Sequence, residues 1–174
     1  MKVAFFTEMG FNGKIPRTHK NMRTEFAWMV ALNATHYNLK SIPSENYDLG
    51  IVVNSKNNPE WVNVEGLKSK CEKVAIMQEG PFWYFQDYPL AKQIHYFNNL
   101  TSADIIYAHN EVDVQYFKGL TNHKDVRVLR SLMVEDPIKT ITHPGNRSGI
   151  MIGGNMKSWY GGFDSFMLAS SVTD

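Results

Sequence analysis

Short apolar runs recur along the chain and alternate with longer stretches in which apolar residues follow a helical spacing. The apolar runs predict buried strands at residues 3–6, 47–54, 73–78, 103–110 and 126–132, with a weaker strand at 37–39. The stretches between them predict helices over residues 19–34, 61–70, 94–100 and 111–118. This alternation predicts an α/β, Rossmann-like, doubly wound domain with a mostly parallel sheet.

Local residues predict where two of these helices begin and end. Thr18 precedes the first helix and has the side chain of a helix N-cap. Asn110 has the same position before the last helix, and Gly119 follows that helix as a glycine expected to end it.

The pattern starts again towards the end of the sequence. Residues 150–152 are apolar, glycine pairs follow at 153–154 and 161–162, and residues 163–172 are largely apolar. Strand, glycine turn and helix begin an α/β unit. We therefore predict a first domain at 1–133, a linker at 134–148, and the first strand and helix of a truncated second domain at 149–174.

Composition and charge exclude several classes of protein. The chain is 43% apolar and 20% charged, as in globular proteins, and its net charge of +1 gives no overall basic field. One cysteine, Cys71, excludes a disulfide framework, and we expect a buried free thiol. The histidines lack metal-ligand spacing, so we expect no metal. Without a signal peptide or a membrane-spanning run, the sequence predicts a soluble, cytoplasmic protein.

Ligands of open parallel sheets bind outside the carboxyl ends of the strands, which here selects the loops at 7–18, 54–58, 78–89 and 109–111. The first loop has Gly10 and Gly13 but no G-x-G-x-x-G motif, which disfavours a dinucleotide site. Its basic run, residues 14–23, is either a solvated face or an anion site, and Arg23 is the best candidate there for a ligand contact.

An acid followed by aromatic residues gives the most informative local signal. Glu79 directly follows a predicted strand, and residues 82–85 are all aromatic. Desolvation beside such surface raises the pKa of a carboxyl group, which suits a general base, and aromatic faces suit sugars or nucleobases. Alternatively, Phe82 and Phe85 are core residues and Glu79 caps a helix or pairs with a lysine. His109 and Glu111 also follow a strand, where hydrogen bonding and the helix dipole are structural alternatives.

The order of these segments resembles the N-terminal domain of GT-B glycosyltransferases. The resemblance is carried by the first strand with its basic glycine-containing loop, by YDLGIVVNS, by the strand ending in an acid, and by ADIIYAHNEVDVQYF. SGIMIGGNMKSWYGGFDSFMLA is similar to the first strand and helix of their second domain. MKVAFF and YDLGIVVNS further resemble phage glucosyltransferases that act on hydroxymethylated DNA bases.

The resemblance implies two Rossmann-like domains that face each other across a cleft, with the acceptor on the N-terminal side. Glu79 matches the base that deprotonates the acceptor hydroxyl. The implied acceptor-binding residues are Gly13, Arg23, Trp83, His109 and Glu111, and the implied donor-binding residues are Gly153, Gly154, Lys157 and Ser158.

No cofactor or metal is implied, because a nucleotide sugar, expected to be a UDP-sugar, is the co-substrate. The implied acceptor is a carbohydrate or a modified DNA base. Since most of the donor domain is missing, we expect this fragment to be inactive alone and to self-associate through its exposed interdomain face.

Two other classes of function compete with this hypothesis. One is a stand-alone α/β ligand-binding or regulatory module without catalysis. The other is a nucleotide-dependent oxidoreductase or epimerase, which the missing G-x-G-x-x-G motif disfavours.

Overall fold

The computed structural model of the chain describes residues 1–9, 12–19, 23–78, 87–140, 142, 145 and 162–171. The chain divides into two compact units, Met1–Thr140 and Ile141–Asp174. This division falls within the stretch that the sequence predicts as a linker.

The first unit alternates strands and helices along the chain. Its strands are β1 (Val3–Thr7), β2 (Gly13–Lys14), β3 (Thr35–Asn38), β4 (Tyr47–Asn54), β5 (Cys71–Gln78), β6 (Ile105–Ala108) and β7 (Val126–Val128). Its helices are α1 (Thr24–Ala31), α2 (Val64–Lys68), α3 (Leu90–Ser102), α4 (Glu111–Thr121) and α5 (Glu135–Lys139), with a 3₁₀ turn at Pro59–Trp61. The described part of the second unit contains α6 (Gly162–Ser170), where the sequence predicts a helix.

Within the described residues, the strands form one sheet in the order β2-β3-β1-β4-β5-β6-β7. β2 pairs antiparallel with β3, and the other neighbouring strands pair in parallel. This confirms the predicted α/β class and the mostly parallel sheet, consistent with a Rossmann-like fold. The chain moves from β1 to β3 on one side and then places β4 on the other, so the strand order reverses between β1 and β4.

The sheet is covered on both faces, which explains the continuous apolar runs. All five residues of β1 are buried. Side chains alternate between the faces, so Phe6 and Val52 pack in one cluster with residues of α2, α3 and α4, while Phe5 and Ile51 pack in the other with residues of α1. Burial on both faces is the condition under which a parallel strand is apolar at successive positions.

The helix boundaries correct two predictions. α1 begins at Thr24 with Arg23 in the cap position, whereas Thr18 lies in a turn five residues before Arg23. The predicted Asn110 cap of α4 is confirmed, because its side chain accepts a hydrogen bond from the Asp113 N–H. Gly119 does not end that helix. The helix continues to Thr121 and ends at Asn122 in the left-handed conformation, which asparagine tolerates better than most residues.

Cys71 is the buried free thiol that the sequence predicts. It is the first residue of β5, its side chain is 3% exposed, and it forms no disulfide. Burial raises the pKa of this thiol to about 11, because the charged thiolate is poorly solvated there.

We expect the Cys71 thiol to resist alkylation in the folded chain. With a pKa of about 11, only about one thiol in a thousand is ionised near pH 8, and the thiolate is the reactive form. Mass spectrometry after iodoacetamide treatment should therefore show slow labelling in native buffer and rapid labelling in guanidinium chloride. Equal rates in the two solvents would contradict the burial of this side chain.

Because Gly50 has no side chain, the Cys71 side chain can pack against its backbone. A Cβ atom added at Gly50 would lie 2.8 Å from the Cys71 Sγ and 3.4 Å from a ring carbon of Phe6. We expect Gly50→Ala to lower the free energy of unfolding by about 1–3 kcal/mol, the usual cost of overpacking a core. Denaturant unfolding should show a smaller cost when the substitution is made in Cys71→Ala, since the sulfur is then absent. Additive costs in this double-mutant cycle would show that the two positions do not compete for space.

Candidate functional site

A ligand-binding crevice is expected at the carboxyl edge of the sheet, where the strand order reverses between β1 and β4. In open α/β sheets, ligands bind outside the strand ends where the order reverses, because the loops on either side leave in opposite directions. Here β1 ends at Thr7 and β4 ends at Asn54. The residues that follow these two ends, Glu8 and Ser55, therefore flank the crevice.

Glu8 is held at this position by the loop that follows β4. Its Oε1 accepts hydrogen bonds from the Ser55 hydroxyl and from Asn58 Nδ2, the latter at 2.8 Å. The Ser55 Oγ in turn accepts a hydrogen bond from the Asn58 backbone N–H at 2.8 Å. Ser55 is buried and Glu8 is half-buried. Among the residues that the structure describes, none donates a hydrogen bond to the other carboxylate oxygen of Glu8, Oε2.

The backbone around Glu8 is fixed from the β3 side. The Thr7 hydroxyl is 2.8 Å from His36 Nε2 and accepts a hydrogen bond from the Met9 N–H at 3.2 Å. Asn38 Nδ2 donates to the carbonyls of Glu8 and Met9 at 3.2 and 3.0 Å. Strand β3 therefore fixes the peptide groups of this loop, while the loop after β4 fixes the carboxylate.

A buried amide pair supports the other wall of the crevice. Asn54 Nδ2 donates to the Tyr96 carbonyl at 3.2 Å, and its Oδ1 accepts from Asn99 Nδ2 at 3.0 Å. Asn99 Nδ2 also donates to the Pro59 carbonyl at 2.9 Å. These bonds tie α3 and the 3₁₀ turn to the end of β4, so the segment that contains Ser55 and Asn58 is anchored at both ends.

Tyr88 and Lys92 hold the middle of the same segment. The two residues lie four positions apart in the sequence. In the structure, the Tyr88 hydroxyl donates to Asn57 Oδ1 at 3.1 Å and the Lys92 ammonium donates to the Asn57 carbonyl. Both side chains therefore anchor the loop at Asn57, which gives them a structural role.

Two of the predicted acceptor-binding residues lie at the carboxyl edge of β6. His109 is half-buried, and its backbone N–H is 3.4 Å from Oε1 of Gln78, the last residue of β5. Glu111 is exposed in the first turn of α4, where an acid is favoured by the helix dipole. The structure thus places His109 beside the end of β5, directly after which Glu79 follows in the sequence.

The other two described acceptor candidates are far from β6 in the strand order: one lies on the edge strand β2 and the other at the start of α1. Gly13 pairs with His36 in the edge strand β2 and has a φ of 118°, a conformation that other residues rarely adopt. Arg23 caps α1, and its Nε lies 3.3 Å from Glu25 Oε1. Glu79, Trp83, Gly153, Gly154, Lys157 and Ser158 lie outside the described residues.

The described cations of the basic run contact groups of the protein. Lys14 donates to the Asn33 carbonyl, and its strand position is opposite Thr35, the first residue of β3. Lys14 is therefore near the amino edge of the sheet, away from the crevice. Arg17 Nε lies 3.2 Å from Asp136 Oδ2 in an exposed ion pair. An exposed pair of this kind adds little stability, but it gives the Arg17 charge a partner within the protein.

Glu8, Ser55 and Asn58 are the site residues that the sequence analysis missed. Glu8 has a signal similar to that of Glu79, because only Thr7 separates it from the apolar run that predicts the first strand. The loop at 54–58 was selected by the strand-end rule, but no residue in it was singled out. Knowing that β4 lies next to β1 connects these two signals.

Other candidate sites give weaker indications. A cavity of about 260 Å³ opens between residues 46–48 and 68–72, at the amino ends of β4 and β5 and thus at the edge opposite the crevice. In the described part of the chain, no three His, Cys, Asp or Glu side chains could together hold a metal ion. None of the described helices is long and apolar enough to cross a membrane.

Comparison of the chain with protein-family models, curated proteins and solved structures found no match. The functional assignment therefore depends on the residues themselves.

The buried amide pair can be tested by substitution within α3. Asn99→Ala leaves Asn54 Oδ1 and the Pro59 carbonyl without this donor, so we expect the free energy of unfolding to fall by about 2–3 kcal/mol. Asn98→Ala is the matched control, since that side chain is exposed on the same helix and should change stability by less than about 0.5 kcal/mol. Urea unfolding measures both, and similar effects at the two positions would contradict the role of Asn99.

Proposed function

We propose that this chain is the acceptor-side part of a GT-B glycosyltransferase, which transfers a sugar from a nucleotide-sugar donor to an acceptor hydroxyl. The observation that carries the proposal is where the resembling segments fall. YDLGIVVN forms β4, beside the point at which the strand order reverses, and ADIIYAHNEVDVQYF spans β6, the Asn110 cap and most of α4. These segments contribute two strand ends to the carboxyl edge where ligands of such sheets bind.

In the proposed reaction, Glu79 acts as the general base. It directly follows Gln78, the residue that ends β5. Its carboxylate takes the proton of the acceptor hydroxyl as that oxygen forms a bond to the anomeric carbon of the donor sugar. The bond from the anomeric carbon to the diphosphate breaks, and the nucleoside diphosphate leaves with the electron pair.

The remaining predicted roles divide between the two partners of the reaction. His109 and Glu111 follow β6, and Trp83 follows β5 in the sequence. These three residues are assigned to the acceptor, together with Gly13 and Arg23. Gly153, Gly154, Lys157 and Ser158 are assigned to the donor, which we expect to be a UDP-sugar.

A stand-alone ligand-binding module is the second candidate function. It is favoured by one observation: Glu8, Ser55 and Asn58, which are joined by hydrogen bonds, all belong to the unit Met1–Thr140. A module of this kind would bind its ligand without converting it.

The proposed base is tested by Glu79→Gln in the native protein. We expect turnover to fall by about 10²–10⁴-fold while the protein stays folded, because the amide cannot accept the proton. Release of UDP from UDP-glucose, measured with a panel of sugar and DNA acceptors, gives the rate. Glu72→Gln is the matched control, since Glu72 is exposed at the amino end of the same strand. Near-normal turnover of Glu79→Gln would remove Glu79 from the mechanism.

A further inference from the structure

The two oxygens of the Glu8 carboxylate have different surroundings. Oε1 accepts hydrogen bonds from Ser55 and Asn58, which fix the orientation of the group. Oε2 accepts none from the residues that the structure describes. A carboxylate oxygen has room for about two hydrogen bonds, so Oε2 can accept them from a ligand in the crevice.

Asn58 adds a donor and an acceptor beside this carboxylate. One N–H of its amide is used by Glu8 Oε1 at 2.8 Å, which leaves a second N–H and the amide oxygen. An oriented carboxylate next to an amide therefore offers both acceptors and a donor within a few ångströms. Neighbouring hydroxyl groups suit such a set, because each hydroxyl donates one hydrogen bond and accepts others.

Charge disfavours an anionic ligand at the Glu8 carboxylate. A phosphate would meet this negative group, while Lys14 lies near the amino edge, Arg17 pairs with Asp136, and the Lys92 ammonium in the neighbouring loop already donates to the Asn57 carbonyl. A metal ion needs more ligands than one carboxylate, and the described residues contain no group of three that could hold one. A neutral ligand with several hydroxyl groups is not repelled by the carboxylate and does not need several charged ligands.

We propose that Glu8 and Asn58 bind adjacent hydroxyl groups of a neutral carbohydrate in the crevice between β1 and β4. The inference deepens the proposed function by selecting a carbohydrate acceptor over a modified DNA base, and it rests on that function only in calling the carbohydrate the acceptor. Glu8 is then a binding residue. The ends of β1 and β5 lie on either side of β4, about 10 Å apart, so this carbohydrate would lie between Glu8 and the strand end that precedes Glu79.

The first test is a titration of the ¹⁵N-labelled chain with methyl glycosides of glucose, galactose and mannose, observed by NMR. We expect at least one glycoside to cause saturable shifts at the backbone amides of Glu8, Ser55 and Asn58. Saturable shifts confined to other strand ends, or no saturable shifts, would overturn the inference. This test uses the unsubstituted chain and does not depend on any variant folding.

The second test separates binding from structure by substitution. Glu8→Gln keeps an oxygen for the bonds from Ser55 and Asn58 but replaces the other carboxylate oxygen and removes the charge. We expect the Kd of the bound glycoside to rise at least about tenfold, with an unchanged midpoint of urea unfolding. Glu60→Gln is the matched control: Glu60 is an exposed acid in the nearby 3₁₀ turn, and the Kd should stay the same. Equal Kd values for wild type and Glu8→Gln would overturn the inference.

A final comparison distinguishes this inference from the proposed function. If the native protein transfers sugar to a hydroxymethylated oligonucleotide and Glu8→Gln does not weaken glycoside binding, the inferred carbohydrate site is wrong and the proposed transferase activity is supported. If no donor sugar is transferred but glycoside binding depends on Glu8, the carbohydrate site stands and the transferase is wrong.

Discussion

The reversal of strand order between β1 and β4 is the constraint on which the rest of the candidate site depends. β1 lies inside the sheet with all its residues buried, and its neighbours β3 and β4 are reached by connections that leave in opposite directions. The loops after β1 and β4 consequently diverge at the carboxyl edge. Peptide groups exposed by that divergence need partners, and the side chains of Asn38 and Ser55 supply them on the two sides.

Most of the buried polar side chains serve this edge. The described buried set is Thr7, His36, Asn54, Ser55, Gln78 and Asn99. Thr7, Asn54 and Gln78 end strands, Ser55 follows one, and His36 and Asn99 contact two of these residues. A buried polar group is costly unless it is hydrogen-bonded. Conformations that break these bonds are therefore disfavoured, and the side chains of this set keep one arrangement. Its rigidity is what gives the half-buried Glu8 carboxylate a defined direction.

The sequence predicts those parts of the fold whose burial is simple. β4 and β5 lie inside the sheet and appear as continuous apolar runs, so they were predicted closely. β2 was missed because two residues of an edge strand within a glycine loop have no periodicity. The end of α4 was misplaced because Gly119 and Asn122 are both able to end a helix, and the choice depends on how long the apolar face continues.

The candidate site was harder to predict for a different reason. Glu8 and Glu79 each follow an apolar run, and the aromatic residues after Glu79 directed the prediction to that acid. Strand order, which the sequence does not show, places Glu8 at the reversal. Hydrogen bonding gives Glu8 a defined orientation. One of its oxygens already accepts bonds from Ser55 and Asn58, which suits a group that orients a ligand through its second oxygen. Under the proposed function, orientation therefore belongs to Glu8 and proton transfer to Glu79, with β4 between the two strands that precede them.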